Sequence, residues 1–319
     1  MLITQEHFDR IYAENQIPMT CLVVIINDDC NANCKACIAR QTFKSPLCQQ
    51  LCEKYQECKS LRCCAHATDD ETFYERLDHI LDTINSSVVS IIITGGEPTL
   101  SPRLLPTLEI IDKHNYAYKE LQLETNGANL KDPIIAKALK DRNVQIQLSR
   151  YAMTSEENAA EFRYNSNPVT EEDIQEFATT FGEQLGISTV LLRKYVEDGE
   201  KLLALVDHYR DMGINRHTFL EFQADTTLEE QNPEVMEYYD QERISILDLA
   251  SQLQILGVEK IEETVTEAFI VSRFMYKGYE IRLTGSDLSR QRTEEQHNEF
   301  SRFLIMPSGE IGVNGVEKR

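Results

Sequence analysis

Three cysteines stand close enough in the chain to share one metal centre: Cys30-Asn31-Ala32-Asn33-Cys34-Lys35-Ala36-Cys37. The C-x3-C-x2-C spacing lets three thiolates on one loop reach three corners of a [4Fe–4S] cube, which a fourth cysteine would normally complete. An iron left without a protein ligand is an open coordination position, useful only to a ligand that binds there. Taken alone, the triplet suits part of a zinc knuckle equally well. The nine cysteines lie at 21, 30, 34, 37, 48, 52, 58, 63 and 64, with none in the remaining 255 residues (319 − 64). A disulfide scaffold would spread its bridges along the chain, so this crowding favours a local metal-binding function. Cys48, Cys52, Cys58, Cys63 and Cys64, followed by His66, form a second group expected to hold zinc or a second iron–sulfur cluster. The plainer reading of that group is a packed or regulatory loop, or disulfides formed in air. Cys21 reads as a core residue.

The elements that must position these thiols follow from hydrophobic period. The apolar β-branched run 22–26, just before the triplet, is a strand buried on both faces. Further strands are predicted at 88–94 and at about 119–124, 144–149, 188–193 and 217–223. Helices alternate with them. One starts at Thr68 with Glu71 reaching back, and buries Phe73, Leu77, Ile80, Leu81 and Ile84. Others open at Ser101 with Pro102 following, at Asp132 with Pro133 following, and at Thr170. A further one carries Leu202, Leu205, Val206 and Tyr209 and stops at Gly213, and residues 233–256 form one long helical pattern. His79, His114 and His208 fall on the surfaces of such helices. Six strand–helix units imply a parallel sheet with right-handed crossovers, too few for a closed eight-stranded barrel. The expected fold is therefore α/β, an open partial (βα)6 TIM-like barrel at 21–225, with the cysteine-rich insertion at 41–67. It is preceded by an extension at 1–20 and followed at 226–319 by a small C-terminal helical and hairpin extension. The hairpins, 276–283 around Gly278 and 303–313 around Pro307-Ser308-Gly309, are expected to cover an opening.

Strand ends carry the remaining chemistry. Thr94-Gly95-Gly96-Glu97-Pro98, Glu124-Thr125-Asn126-Gly127 and Ser149-Arg150 each close a predicted strand, on the rim that holds the cysteine loop. Paired glycines let backbone approach a ligand closely, and Glu97 can accept from an ammonium. Alternation along the strands turns Gln122, Gln145, Gln147 and Ser149 away from the aliphatic face that the helices cover. A barrel interior that is merely packed uses branched aliphatics, so these polar side chains suggest a cavity that holds a ligand. Gln122, Gln145 and Gln147, with Arg193, Glu221 and Gln223 at later strand ends, are the substrate-pocket candidates.

In this order, these motifs resemble the radical S-adenosylmethionine (radical SAM) superfamily over about residues 20–223, nearest in layout to its molybdenum-cofactor cyclase-like branch. The resemblance implies that Cys30, Cys34 and Cys37 hold a [4Fe–4S] cluster and that the amino and carboxylate groups of S-adenosylmethionine chelate the fourth iron. Gly95, Gly96 and Glu97 match the motif that receives the methionyl amino group. Ser149 and Glu124 match ribose-contacting positions. Arg163 resembles the arginine that pairs with the methionyl carboxylate, and Arg150 is its rival. One departure is Ala36, which stands where the family has an aromatic residue near adenine.

The implied activity is reductive cleavage of S-adenosylmethionine to a 5′-deoxyadenosyl radical that abstracts hydrogen from a small biosynthetic molecule. Modification of a ribosomally made peptide is the alternative, and a non-catalytic metal-binding or sensing module is a second. A flavodoxin- or ferredoxin-type electron donor is expected. With 32 Lys+Arg against 53 Asp+Glu, the formal charge of −21 argues against a nucleic-acid partner. There is no run of about 18 apolar residues to span a membrane. Residues 1–20 lack the plan of a secretory signal, so the chain is expected in a reducing cytoplasm.

Overall fold

The structure is a computed structural model that describes residues 2–3, 5–6, 8–10, 21–37, 69–84, 90–114, 120–223, 233–265, 269–286, 302–307, 309 and 311–314. The second cysteine group, Cys48 to Cys64, lies outside the described residues. In chain order the elements are β1 (Leu2–Ile3), β2 (Cys21–Ile25), α1 (Asp70–Ile84), β3 (Ser90–Thr94), α2 (Leu104–His114), β4 (Glu120–Thr125), α3 (Pro133–Asp141), β5 (Gln145–Arg150) and α4 (Ser155–Phe162). They continue as α5 (Glu171–Phe181), β6 (Leu185–Leu191), α6 (Gly199–Asp211), β7 (Arg216–Glu221), α7 (Pro233–Glu242), α8 (Ile246–Ile255), β8 (Glu259–Val265), β9 (Phe269–Tyr276), β10 (Tyr279–Ser286), β11 (Arg302–Ile305) and β12 (Ile311–Asn314).

Short polar side chains start the helices by occupying amide groups that have no intrahelical partner. Asp132 accepts from the amides of Ile134 and Ile135, and Thr170 and Asp173 form a reciprocal capping box. Asp69 accepts both the amide and the hydroxyl of Thr72, each at 2.9 Å, while Thr68 lies outside the described residues. Thr154 and Glu157 cap α4 in the same reciprocal way, a helix the hydrophobic pattern did not reveal although its capping signature is in the chain. The pattern expected as one helix at 233–256 is two. Ser245 is extended (φ −74°, ψ 128°) and its side chain takes the Asp248 amide, so α8 begins afresh.

The strands form one sheet ordered β1-β12-β11-β2-β3-β4-β5-β6-β7-β10-β9-β8. Eight neighbours, from β11 through β2–β7 to β10, run parallel, and the two edges are finished by antiparallel strands. The sheet stays open, because β1 and β8 do not pair. The C-terminal hairpins do not lie across an opening. They enter the sheet itself, β10 beside β7 and β11 beside β2, since each parallel edge offers unpaired backbone groups that only another strand satisfies.

Alternation sorts the two faces. Ile93, Leu123, Ile146, Leu148, Ile187, Phe219 and Leu283 are buried in one core with Leu77, Leu108, Phe177, Leu205 and Tyr209 of the helices. Their neighbours Gln122, Glu124, Gln145, Gln147, Ser149, Ser188 and Thr218 therefore point to the opposite face, called here the helix-free face with respect to the described residues. His114 differs from its expected surface position. Its side chain is only 8% exposed and sits between Asp78 (3.0 Å) and Asp82 (3.3 Å) of α1.

His217 of β7 is buried on the helix side, with Nε2 on the Ile214 carbonyl at 3.1 Å. Burial lowers its pKa to about 4, so the folded state holds the ring neutral. Between pH 6.5 and 4 the unfolded chain binds the extra proton, and stability falls as pH falls. By pH 5 this group alone costs about 2 kcal/mol. Urea titrations at pH 7.5 and 5 should show that loss, and His217→Gln should reduce the pH dependence by the same amount. An unaltered pH dependence in the variant would contradict the assignment.

Candidate active site

The rim at the carboxyl ends of β2–β5 is built by backbone meeting backbone. After β2, the loop through Asn27, Asp28 and Asp29 lies directly on Gly95 and Gly96. The Gly96 amide donates to the Asn27 carbonyl (2.8 Å) and the Glu97 amide to the Asp29 carbonyl (2.7 Å). A Cβ on Gly96 would stand 2.5 Å from the Asp28 oxygen, and one on Gly95 would stand 2.6 Å from the Asn27 oxygen. The close approach expected between these glycines and a ligand is thus made by the segment that leads into the cysteines.

Glu97 is 1% exposed, and its carboxylate is filled by its own chain. Oε1 accepts from the Thr99 amide (3.0 Å) and from the hydroxyls of Thr99 (2.6 Å) and Thr125 (2.5 Å), while Oε2 accepts from the Asn126 amide (2.7 Å). Burial pushes this carboxyl up, and the hydrogen bonds work against that shift. Its side chain therefore ties the end of β3 to the end of β4. Asn27 Oδ1, buried at this rim, has no hydrogen-bond partner.

Cys30, Cys34 and Cys37 are in no disulfide, and each is partly buried. Cys30 Sγ accepts from the Ala32 amide (3.3 Å) and from Asn126 Nδ2 (3.7 Å). Across the loop, the Asn33 amide donates to the Phe162 carbonyl (2.6 Å), the Asn165 amide to the Asn31 carbonyl (2.7 Å) and Asn31 Nδ2 to the Ser166 carbonyl (3.0 Å). Burial first, then the charges of Cys37 and Cys30, push the Cys34 thiol up to about 12. Among the described residues, no three His, Cys, Asp or Glu side chains gather as ligands of one ion would. Thiolates that each bind a different iron of a cube stand further apart. Cys21 lies at the opposite end of β2, roughly 16 Å away at strand rise, too far to be a fourth ligand.

Around this loop is an aromatic wall. Ala36 packs with Tyr151, Phe162 and Tyr238 in a second apolar cluster, so the ring missing at position 36 leaves room for others. Phe162 meets Tyr151 edge-on and stacks on Tyr164, both at 4.9 Å between centroids. Buried Glu161 fastens the wall. It accepts from the Tyr238 hydroxyl (2.6 Å) and the Tyr195 hydroxyl (3.2 Å) and pairs with Lys194, joining α4, the loop after β6 and α7.

The two arginines differ sharply. Arg163 is exposed at the left-handed C-cap of α4, beside Phe162 and the cysteine loop. Arg150 is 1% exposed, and its Nε reaches only the Tyr209 hydroxyl (3.4 Å). Its Nη1 and Nη2, like the Tyr164 hydroxyl, are buried without a partner. Burial raises the Tyr164 pKa while the Arg150 charge opposes it, which puts the two groups within electrostatic reach. Of the other expected residues, Glu124 accepts from the Thr94 hydroxyl (3.1 Å), Ser149 faces Ser188, and Gln147 Oε1 is buried and unpartnered. Gln122 and Gln145 share the face of Gln147 nearer the strand starts. Arg193 and Glu221 are drawn elsewhere. Arg193 is exposed and donates to the Arg243 carbonyl (2.7 Å), while Glu221 pairs with Arg243 (3.5 Å). Arg193 lies past the last pairing residue of β6, where alternation no longer aims the side chain, while Glu221 still pairs with Leu191 and alternates in phase with His217 and Phe219, toward the helix-covered face. Gln223 is half-buried beyond the end of β7.

No protein-family model and no curated protein matches the chain. Solved structures do. The chain is similar to coproporphyrinogen III oxidase (HemN) from Escherichia coli, described as a radical SAM enzyme, at TM-score 0.50 and 13% identity over 80% of this chain and 55% of that one. The chain has the fold of a radical SAM enzyme. It also matches anSMEcpe with bound AdoMet and a Cp18Cys peptide (TM-score 0.47, 19% identity, 65% of this chain and 51% of that one). A third match is Streptococcus suis SuiB bound to precursor peptide SuiA (0.49, 17%, 99% and 65%). The chain spans about half the length of the structures it matches first, 51% and 52%. No helix among the described residues is long and apolar enough to cross a membrane.

Gly96→Ala should force the 27–29 backbone aside and cost roughly 1–3 kcal/mol, as overpacking does. Urea denaturation measures the loss, and iron content after anaerobic reconstitution should fall with it. A variant of wild-type stability would mean the loop can yield at no cost.

Proposed function

We propose that this chain is a radical SAM enzyme: Cys30, Cys34 and Cys37 hold a [4Fe–4S] cluster, and S-adenosylmethionine binds the rim beside it. The observation that carries the reading is a set of buried side-chain atoms without partners: the donors Arg150 Nη1 and Nη2 and Tyr164 Oη, and the acceptor Asn27 Oδ1, suit a carboxylate and an ammonium. A buried guanidinium with no counter-ion costs several kcal/mol, and a bound carboxylate would offset that cost. Held by Cys30, Cys34 and Cys37, such a cluster would supply the one electron needed for reductive cleavage of the C5′–S bond of S-adenosylmethionine to methionine and a 5′-deoxyadenosyl radical able to take hydrogen from a substrate.

The residues of the chain do the rest. Glu97 holds the amino-binding backbone in place without facing the ligand. Arg150 is the better-built carboxylate partner, because its fork is already desolvated, while Arg163 stays in solvent at the same rim. Ser149 and Glu124 on the helix-free face suit ribose hydroxyls. The aromatic wall of Tyr151, Phe162, Tyr164 and Tyr238 excludes water from the cluster loop. Gln122 and Gln147, with Ser188 and Thr218 beside them, make a hydrogen-bonding lining that favours a hydrophilic small molecule as substrate. An external one-electron donor of flavodoxin or ferredoxin type would reduce the cluster.

Three outcomes test this reading. Dithionite-reduced, reconstituted protein should convert S-adenosylmethionine to 5′-deoxyadenosine. Cys34→Ala should lose the absorbance near 400 nm and about four irons per chain, and unchanged iron would refute the cluster. Arg150→Met should weaken S-adenosylmethionine binding about 10–100-fold, the range of hydrogen bonds to a charge. The same variant should leave the ligand-free Tm no lower, and equal binding would remove Arg150 from the site. For the second cysteine group, elemental analysis should find metal beyond four irons that Cys63→Ala with Cys64→Ala removes. A total of four irons and no zinc in the unmutated protein would end that idea.

A further inference from the structure

We propose that Asn126 sets the reduction potential of the cluster by donating a hydrogen bond from its side-chain amide to the Cys30 thiolate. The proposal rests on the reading of Cys30, Cys34 and Cys37 as cluster ligands. Asn126 is 6% exposed, and its amide can face only one way. Its Oδ1 accepts from the Ala128 amide at 3.0 Å, a group that can only donate. Nδ2 is thereby turned to the cysteine loop, where one hydrogen meets Asn31 Oδ1 (2.8 Å) and the other Cys30 Sγ (3.7 Å). The Asn126 backbone amide is pinned on Glu97 Oε2 at 2.7 Å, so the side chain springs from a fixed point.

The Ala32 amide also donates to the same sulfur, at 3.3 Å, so two donors converge on Cys30. One is local to the loop and forms with it. The other comes from the residue after β4, 96 residues away, and depends on the folded rim. Hydrogen bonds to ligating sulfur stabilise the more negative, reduced cluster and raise its potential. A buried donor acts in a low local dielectric and is the more effective for it. The step concerned is the gain of one electron by the cluster, with no proton transferred. Asn126 touches a cluster ligand and no reacting atom of a substrate, so it is a positioning residue.

The experiment is a potentiometric titration of the reconstituted enzyme, with reduced cluster read by electron paramagnetic resonance, on wild type, Asn126→Ala, Asn126→Asp and Thr125→Val. Asn126→Ala should lower the reduced-to-oxidised ratio about tenfold at the wild-type midpoint, a shift of about 59 mV for one electron. Asn126→Asp, which replaces the donor by a negative oxygen, should shift further in the same direction. Thr125→Val loses its bond to Glu97 but touches no sulfur, and should leave the midpoint where it is. Wild-type midpoints in both Asn126 variants, or an equal shift in Thr125→Val, would overturn the proposal. Loss of the cluster from both Asn126 variants while Thr125→Val keeps it would also overturn it, making Asn126 a structural latch. Absence of any cluster signal in wild type would instead sink the reading of the three cysteines.

Discussion

The rim depends on one buried carboxylate. Glu97 is removed from water at a cost that only several hydrogen bonds can offset, and it obtains them from Thr99, Thr125 and Asn126. Because those donors belong to two strand ends, satisfying the charge fixes how the end of β3 sits against the end of β4. The segment Asn27–Asp29, which leads into the cysteines, is then laid on Gly95 and Gly96 at backbone distance.

This arrangement divides the labour between faces of the sheet. The helix-covered face is a dense aliphatic core that holds the strands in register, while the helix-free face keeps hydrogen-bonding side chains such as Gln122, Gln147 and Ser149. Only at the carboxyl ends, where the chain turns away from the sheet, do both kinds of surface meet the cysteine loop. Arg150 lies at such an end, its guanidinium buried with Nη1 and Nη2 unpartnered, an arrangement that weakens the fold.

The aromatic wall answers a question raised by Ala36. A single ring on the cysteine loop is replaced by several rings carried by β5's end, α4 and α7, gathered by Glu161 and Lys194. A small residue at position 36 and large ones around it are therefore one packing solution. They are spread over segments that hydrophobic period cannot relate.

Much of this was legible in the residues themselves. The C-x3-C-x2-C spacing, the polar motifs at strand ends, the parallel sheet and the helix caps at Asp132 and Thr170 are local, and local chemistry determines them through period, capping and covalent distance. The helix opened by Thr154 and Glu157 was equally local, but its weak apolar stripe hid it. What only the tertiary structure decided are relations between distant segments. Whether Glu97 faces a ligand or its own chain, which arginine loses its solvent, where Arg193 and Glu221 turn, and that the C-terminal hairpins join the sheet edges are such relations. Each depends on which surfaces meet once the strands have paired, and that choice is made by desolvation and by the satisfaction of backbone groups across the whole sheet.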